Sequence, residues 1–377
     1  MPLIEHKGPP PETGAPGTSP LSVCVAIPAR DEEARIGACF ASLAAQTTST
    51  KFAVLVLANN CADATADIVR SFGADAPFDV HLFEAWFKGC AAPAARARRL
   101  SVNAAMSVMG PQGMVLTTDA DSRVDPNWVE ANLDGLRRAD LVCGAISPDI
   151  WELGVSFPDR VLQRGASEFT LEQMAVEMEH RLDPLSWDPW PHHRMETAAS
   201  LAISTEWLLR VGGVPEVEPG EDRALVNIVR RMGGRVRHAP DAKVVTSCRL
   251  DGRARGGWAD DLKERVEDPS VPCHDNLEPS FDLYRRAKIR GALRAAWPAI
   301  DVAAWARVLR LPAEIVRAHQ SNPNFAEAWA ELEALSPRLK RVRLQVNDLP
   351  RQTQVVARLL ARTRVETAKR QPALAPA

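Results

Sequence analysis

The chain has 377 residues, 46% of them hydrophobic and 25% charged, with a formal net charge of -2. That length supports one large core or two ordinary ones, and the composition excludes a disordered chain. The near-neutral charge gives no reason to expect nucleic acid as a partner.

Residues 1–20 read as a disordered Pro/Gly-rich tail without a signal-peptide pattern. Leu21 to Ile27 is an aliphatic run expected to form a strand, stopped by Pro28. Asp31 to Leu43 follows as an expected helix, acidic in its first turn and apolar at Ile36, Phe40 and Leu43. A second strand is expected over Phe52 to Leu57, with Asp63 capping a helix that carries Ile68, Val69 and Phe72. Val80 to Phe83 suits a third strand, and Ala94 to Met109 an Ala/Arg-rich helix.

Met114 to Thr118 is a short strand ending in two carboxylates, Asp119 and Asp121. If the extended backbone persists, both project from one face, where they repel unless a cation lies between them. Mg²⁺ and Mn²⁺ take such oxygen ligands and bridge carboxylates to phosphates. Asp125 is placed to cap a helix beginning at Pro126. Alternating strands and helices to this point imply an α/β fold with a mostly parallel sheet, whose ligands gather outside the strands' carboxyl ends. Three polar loops lie at such ends: 28–33, 59–63 and 119–121.

Leu185-Ser-Trp-Asp-Pro-Trp-Pro-His-His193 offers Trp187, Trp190 and His193 as faces and hydrogen-bonding groups for a sugar ring or an apolar ligand, though tryptophans in an irregular insert equally suit core packing. Ala198 to Ser204 reads as a strand, followed by a helix with Trp207 and Leu208 and a turn at Val211 to Pro215. Glu221 and Asp222 open a helix running to Arg231, where first-turn acidity alone suits the helix dipole. After a strand over Lys243 to Ser247, Arg249, Arg253 and Arg255 stand on a Gly-rich loop suited to clamping a diphosphate. From about Asp268 amphipathic helices are expected over Phe281 to Trp297, Val302 to Gln320 and Asn324 to Leu335, broken at prolines. The basic segment Arg338 to Arg370 suits a face packed on its own domain, a dimer contact or an anionic membrane surface.

The seven cysteines, at 24, 39, 61, 90, 143, 248 and 273, never form a CxxC pair. That argues against a disulfide framework and fits a reducing, cytoplasmic setting. No apolar stretch approaches the roughly 18–20 residues of a membrane span.

Four motifs carry a family resemblance. Val25-Ala-Ile-Pro-Ala-Arg-Asp-Glu-Glu33 resembles the opening V-x-I-P-x-x-N-E-E of family 2 glycosyltransferases. Val56-Leu-Ala-Asn-Asn-Cys-Ala-Asp-Ala-Thr65 resembles their V-V-D-D-G-S-x-D-G-T, Asp119-Ala-Asp121 their D-x-D, and Gly220-Glu-Asp-Arg-Ala-Leu225 their G-E-D-x-x-L. The resemblance implies the GT-A fold, a Rossmann-like mixed, mostly parallel sheet flanked by helices. It covers residues 21–262, divided into a nucleotide-binding half (21–125) and an acceptor half (126–262), with 263–377 as a helical C-terminal extension.

It also implies transfer of a sugar, in the manner of a hexosyltransferase, from a nucleotide-diphosphate donor to an acceptor hydroxyl with inversion. Asp121 and Asp119 would hold Mn²⁺ or Mg²⁺, and Pro28, Ala29, Arg30, Glu33, Asn59, Asp119 and Ala120 would line the nucleotide. Asn59 stands where many relatives have a uracil-reading Asp, so uridine is the expected base with its identity left open. Asp222 would be the general base and Glu221 its support. Relatives often place a metal-binding His near Thr246 or Ser247; here His238 is the nearest. Two alternatives stay open. A sugar-nucleotide nucleotidyltransferase is disfavoured by a first loop without glycines, and a non-catalytic binding scaffold by the presence of Asp121 and Asp222. The donor sugar, the acceptor and the oligomeric state are not legible.

Overall fold

The computed structural model describes residues 22–87, 94–109, 112–149, 151–152, 157–253 and 256–369. Its aliphatic runs form a sheet covered on both faces, as a parallel sheet requires. Strands β1 (Val23–Ala29) and β2 (Ala53–Asn59) are buried almost throughout. In β1, Val23, Val25 and Ile27 pack on one face with Phe40, Val54 and Val56, whereas Cys24 and Ala26 pack on the other with Leu55, Val102 and Ala105. That two-residue alternation is the pleat of a strand, with core on either side.

Strands β3 (Asp79–Ala85) and β4 (Met114–Thr117) complete a parallel set with β1 and β2. The remaining strands are β5 (Ser122–Val124), β6 (Leu141–Pro148), β7 (Leu201–Ser204) and β8 (Val236–Thr246). The eight-stranded order is β3-β2-β1-β4-β7-β6-β8-β5. Strand β7 runs antiparallel to both β4 and β6, β6 is parallel to β8, and β5 is antiparallel to β8. This is the mixed, mostly parallel sheet of the expected fold class. The pairing of β6 with β8 shifts register between Gly144 and Ala145. A Cβ at Gly144 would stand 2.0 Å from Ser200 Oγ and 2.3 Å from the Ala242 carbonyl, so only glycine fits there.

Several element boundaries differ from the sequence reading for identifiable reasons. The first helix is Ile36–Ala44 and not Asp31 onward, because Asp31 adopts φ 51° and residues 32–35 form a turn. The helix expected from Pro126 starts at Trp128; the Asp125 carboxylate accepts from Asn127 N at 3.1 Å, within the turn before the helix. Helix Thr205–Val211 has conventional ends, with Ser204 capping Trp207 N and Gly212 in the left-handed region at φ 79°.

The chain falls into two compact units. One takes in the described residues within 1–156, 194–229 and 234–263, and the other those within 157–193, 230–233 and 264–377. The expected extension therefore groups with 157–193, a segment placed by sequence in the acceptor half. The second unit is helical, with helices Asp159–Leu182, Ser280–Ala296, Val302–Leu309, Ala313–Gln320, Phe325–Leu335 and Leu349–Ala368. Leu171, Met178, Leu283, Val356 and Leu360 pack in one of its cores, and Leu293, Leu309, Val316 and Leu332 in another. Its buried carboxylates are paired: Glu168 with Arg164 and Arg265, and Asp183 with Arg290 and Arg294. The basic face of Leu349–Ala368 is partly used internally, since Arg364 bonds Glu177 at 2.6 Å. Among the described residues no helix is long and apolar enough to cross a membrane.

Candidate active site

The carboxyl ends of β1 and β2 are stitched together by acidic side chains. Asp31 accepts from Ala62 N at 2.8 Å, and the Glu33 carboxylate accepts from Ala64 N at 2.9 Å. Glu33 N donates to Asp63 at 3.0 Å, and Glu32 N to Thr65 Oγ1 at 2.8 Å. Glu33, expected at the nucleotide, thus holds the second loop in shape. Asp31, Cys61 and Asp63 bring ligand atoms within 4.8 Å of one another, with both carboxylates already bonded to backbone N–H groups. Pro28 and Ala29 lie within β1 opposite Leu57 and Ala58, and Arg30 follows at its end. Asn59 ends β2, buried at 3% exposure, while Asn60 at φ 51° exchanges two hydrogen bonds with the Phe87 backbone.

At β4 the extended backbone stops at Thr117. Ser122 N donates to the Asp119 carbonyl at 3.1 Å, closing a tight turn before β5. Asp119 and Asp121 therefore flank a turn instead of sharing a strand face. Ala120 between them is 3% exposed and packs into the core, which fixes the turn from below.

Two guanidinium groups organise this turn, and one of them lies outside the sequence reading. Arg98 is 8% exposed on helix Ala94–Val108. It donates to the Thr118 carbonyl at 3.2 Å and to the Asp119 carboxylate, and its Nε stands 3.9 Å from Glu221. Burial alone would lower the Arg98 pKa, but Asp119, Glu221 and Asp222 together raise it, so it stays charged. Burial raises the Glu221 carboxyl pKa, with Arg98 opposing. Arg96, Arg98 and Arg99 sit in the first turns of this helix, against the dipole's preference for acids there; that is the signal a sequence reader could have used.

Arg249 is the second. It pairs through both terminal nitrogens with Glu32, which is 5% exposed, and stands 3.1 Å from Asp121 Oδ2. Burial would lower its pKa, but the hydrogen bond to Glu32 and the charges of Asp121, Glu32 and Glu152 raise it. Arg253 donates to the Asp31 carbonyl at 3.1 Å, and Arg255 lies outside the described residues. The base of this loop is tied by Glu152, whose carboxylate accepts from Ser247 Oγ and Cys248 N, each at 2.7 Å. Glu32 and Glu152 are further site residues that sequence reasoning missed; among Asp31, Glu32 and Glu33, which acid turns inward depends on the turn geometry.

The Asp121 carboxyl is pushed up to about 7, by burial first and then by Asp119 and Glu32, with Arg249 pulling the other way. A carboxylate this crowded by like charge favours a cation. Asp121 and Glu32 meet on the Arg249 guanidinium while Asp119 meets Arg98, and the Asp121 carboxylate offers the oxygen ligands that a hard divalent ion takes. His238, the nearest histidine in sequence, lies on β8 and stands 3.5 Å from Glu196.

Helix Glu221–Arg231 begins after Gly220 at φ 101°. Asp222 at its start accepts from Ala198 N at 3.1 Å and from Arg223 N at 2.7 Å, which fixes its plane. Arg98, Thr117, Ala198, Glu221, Asp222 and Leu225 are among the residues lining a small pocket here. Arg98 thus touches the turn of Asp119 on one side and the helix of Asp222 on the other. The chemistry on offer is cation and phosphate binding beside an oriented carboxylate.

Trp187, Trp190 and His193 belong to the second unit. Trp190, 38% exposed, stands with its ring 5.9 Å from His180 and 5.7 Å from His192, while His193 is buried. Those two imidazoles meet at 3.2 Å.

The model of the family described as Glycosyl transferase family 2 matches residues 24–194. No curated protein matches the chain in sequence. Structures with similar backbones include S. aureus TarS 1-349 in complex with UDP-GlcNAc, at 13% identity and TM-score 0.47, covering 92% of this chain and 92% of that chain. Another is the mannosyltransferase PcManGT from Pyrobaculum calidifontis in complex with GDP-Man and Mn2+, at 18% identity and TM-score 0.42, covering 96% of this chain and 87% of that chain.

Proposed function

Residues 24–194 belong to glycosyl transferase family 2, and from that premise we propose that this glycosyltransferase moves a sugar from a nucleotide diphosphate to an acceptor hydroxyl with inversion. The observation that carries the reading is Arg98, whose single buried guanidinium joins Asp119 to the helix start bearing Glu221 and Asp222. It links a cation-seeking turn to an oriented carboxylate, the two parts that glycosyl transfer needs.

In this reading Asp121, with Asp119 and Glu32 beside it, holds Mn²⁺ or Mg²⁺. When bound, such an ion neutralises charge developing on a departing diphosphate. The loops at the ends of β1 and β2 receive the nucleoside, with Pro28, Ala29, Arg30 and Asn59 nearest and Glu33 shaping the turn. Uridine is the first expected base. Arg249 and Arg253, with Arg255 on the same loop, supply forked donors for phosphate oxygens. Asp222 accepts the acceptor's proton as the oxygen attacks the anomeric carbon from the side opposite the leaving diphosphate. Glu221 supports Asp222, and Arg98 keeps both near a positive charge.

Calorimetry of UDP binding with Mn²⁺ and with EDTA tests the metal-assisted donor site. Binding should weaken sharply in EDTA, because Asp119, Asp121 and Glu32 otherwise repel the diphosphate. Equal affinity in both conditions would remove the metal from the mechanism.

A further inference from the structure

The most informative contact in the first unit is one that looks like ordinary pairing. Arg249 lies between two buried carboxylates, pairing with Glu32 through both terminal nitrogens and standing 3.1 Å from Asp121 Oδ2. The other guanidinium groups nearby are engaged elsewhere: Arg98 on Asp119, and Arg35 on Glu152 at 3.1 Å. With Asp121 ionised, two carboxylates against one arginine leave a deficit of one positive charge. A divalent ion removes that deficit only if the guanidinium departs; with both present, like charges would stand a few ångströms apart.

We propose that Arg249 is a resident cation that excludes divalent ions from the Asp121 subsite until a nucleoside diphosphate draws it away, so that metal binding depends on the nucleotide. The proposal rests on the metal-assisted reading above. A diphosphate offers the guanidinium fork at least as many oxygens as Glu32 and Asp121 do, so the arginine moves from one set of anionic oxygens to another. The loop is built for that exchange. Its base is tied by Glu152 to Ser247 and Cys248, so the displacement falls on the side chain of Arg249 and the residues beyond it.

The test is Mn²⁺ affinity without nucleotide, read from the paramagnetic resonance of free Mn²⁺, for the wild type, Arg249→Gln and Arg249→Lys. Removing the charge should raise metal affinity about tenfold or more, whereas Lys, which keeps it, should stay near the wild type. Unchanged or weaker Mn²⁺ binding by Arg249→Gln overturns the proposal, as does an equal gain with Lys. Should Arg249→Gln not fold, phenylglyoxal labelling of the wild type decides instead. Mn²⁺ alone, at a concentration that binds when UDP is present, should leave modification of Arg249 unchanged, and Mn²⁺ with UDP should alter its rate; a changed rate with Mn²⁺ alone, or the same rate with both, refutes the exchange. If Mn²⁺ fails to bind even with UDP present, the metal-assisted reading itself falls and this proposal with it. If it binds with UDP but Arg249→Gln gains nothing without nucleotide, only the resident-cation proposal is lost.

Discussion

Asp222→Asn separates a proton acceptor from a piece of helix architecture, and the structure gives the size of each effect. The two carboxylate oxygens accept from different backbone donors, Ala198 N at 3.1 Å and Arg223 N at 2.7 Å. An amide keeps one acceptor and turns an NH₂ towards the other donor, so one hydrogen bond is lost. The partly buried site makes that cost about 1 kcal/mol, or roughly 2–4 °C in melting temperature for a unit of this size. Ala loses both contacts and should cost about twice as much. Activity should respond on another scale, since the amide cannot take the acceptor's proton at neutral pH and general-base assistance is worth about 10²–10⁴ in rate. UDP and metal binding should persist, because Asp121, Asp119 and Glu32 are untouched. Sugar transfer measured as UDP release, set beside the melting curve, decides the matter. Near-normal turnover with Asn would show that Asp222 only shapes the helix start.

Two further outcomes concern the helical unit. Gly291→Ala would place a Cβ 2.1 Å from the Leu182 carbonyl oxygen and 3.2 Å from Asp183 Cα. Overpacking against backbone should cost about 1–3 kcal/mol despite alanine's better helix propensity, and a thermal melt at or above the wild type would refute the close crossing. Asp183 and Glu168 are both buried, which alone would raise their pKa values; arginine partners hold them below the ordinary 3.8 and 4.5 instead. A depressed folded pKa means that their stabilisation is complete above the unfolded values and is lost as pH falls through the folded ones. Urea midpoints should therefore drop steeply below about pH 4.5, and the drop should be shallower in Asp183→Asn; a flat profile in the wild type would refute the pairing.

The parallel strands were the most legible part of this chain. Continuous aliphatic runs such as β1 and β2 have few uses other than a strand covered on both faces. Strand β6 gives a weaker signal, because Gly144 interrupts it and its bulge is demanded by Ser200 and Ala242, residues distant in sequence. The acidic triplet Asp31, Glu32 and Glu33 reads as a helix's first turn, since acids there suit the dipole. The backbone reversal at Asp31 sends each of the three to a different partner: Ala62 N, Arg249 and Ala64 N. Asp119 and Asp121 were recognisable as a pair, but their relation depended on where β4 stops, which its antiparallel partner β7 helps to set. Arg98 left one trace, a basic group in the first turns of a helix where the dipole favours acids. An arginine in an Ala-rich helix otherwise looks solvated until the sheet is assembled against it.

The tie that Glu152 makes to Ser247 Oγ and Cys248 N acts as a tether on the arginine beside it. With Cys248 anchored, Arg249 works on a leash one side chain long, so a phosphate it can hold must come within that fixed radius of Glu32. If Arg249 grips a donor's diphosphate as proposed, the tether gauges that diphosphate and is blind to the sugar beyond it. Redesign of the sugar preference can therefore leave residues 247–249 alone, whereas lengthening the chain between Cys248 and Arg249 by a single residue would detune the grip for every donor alike.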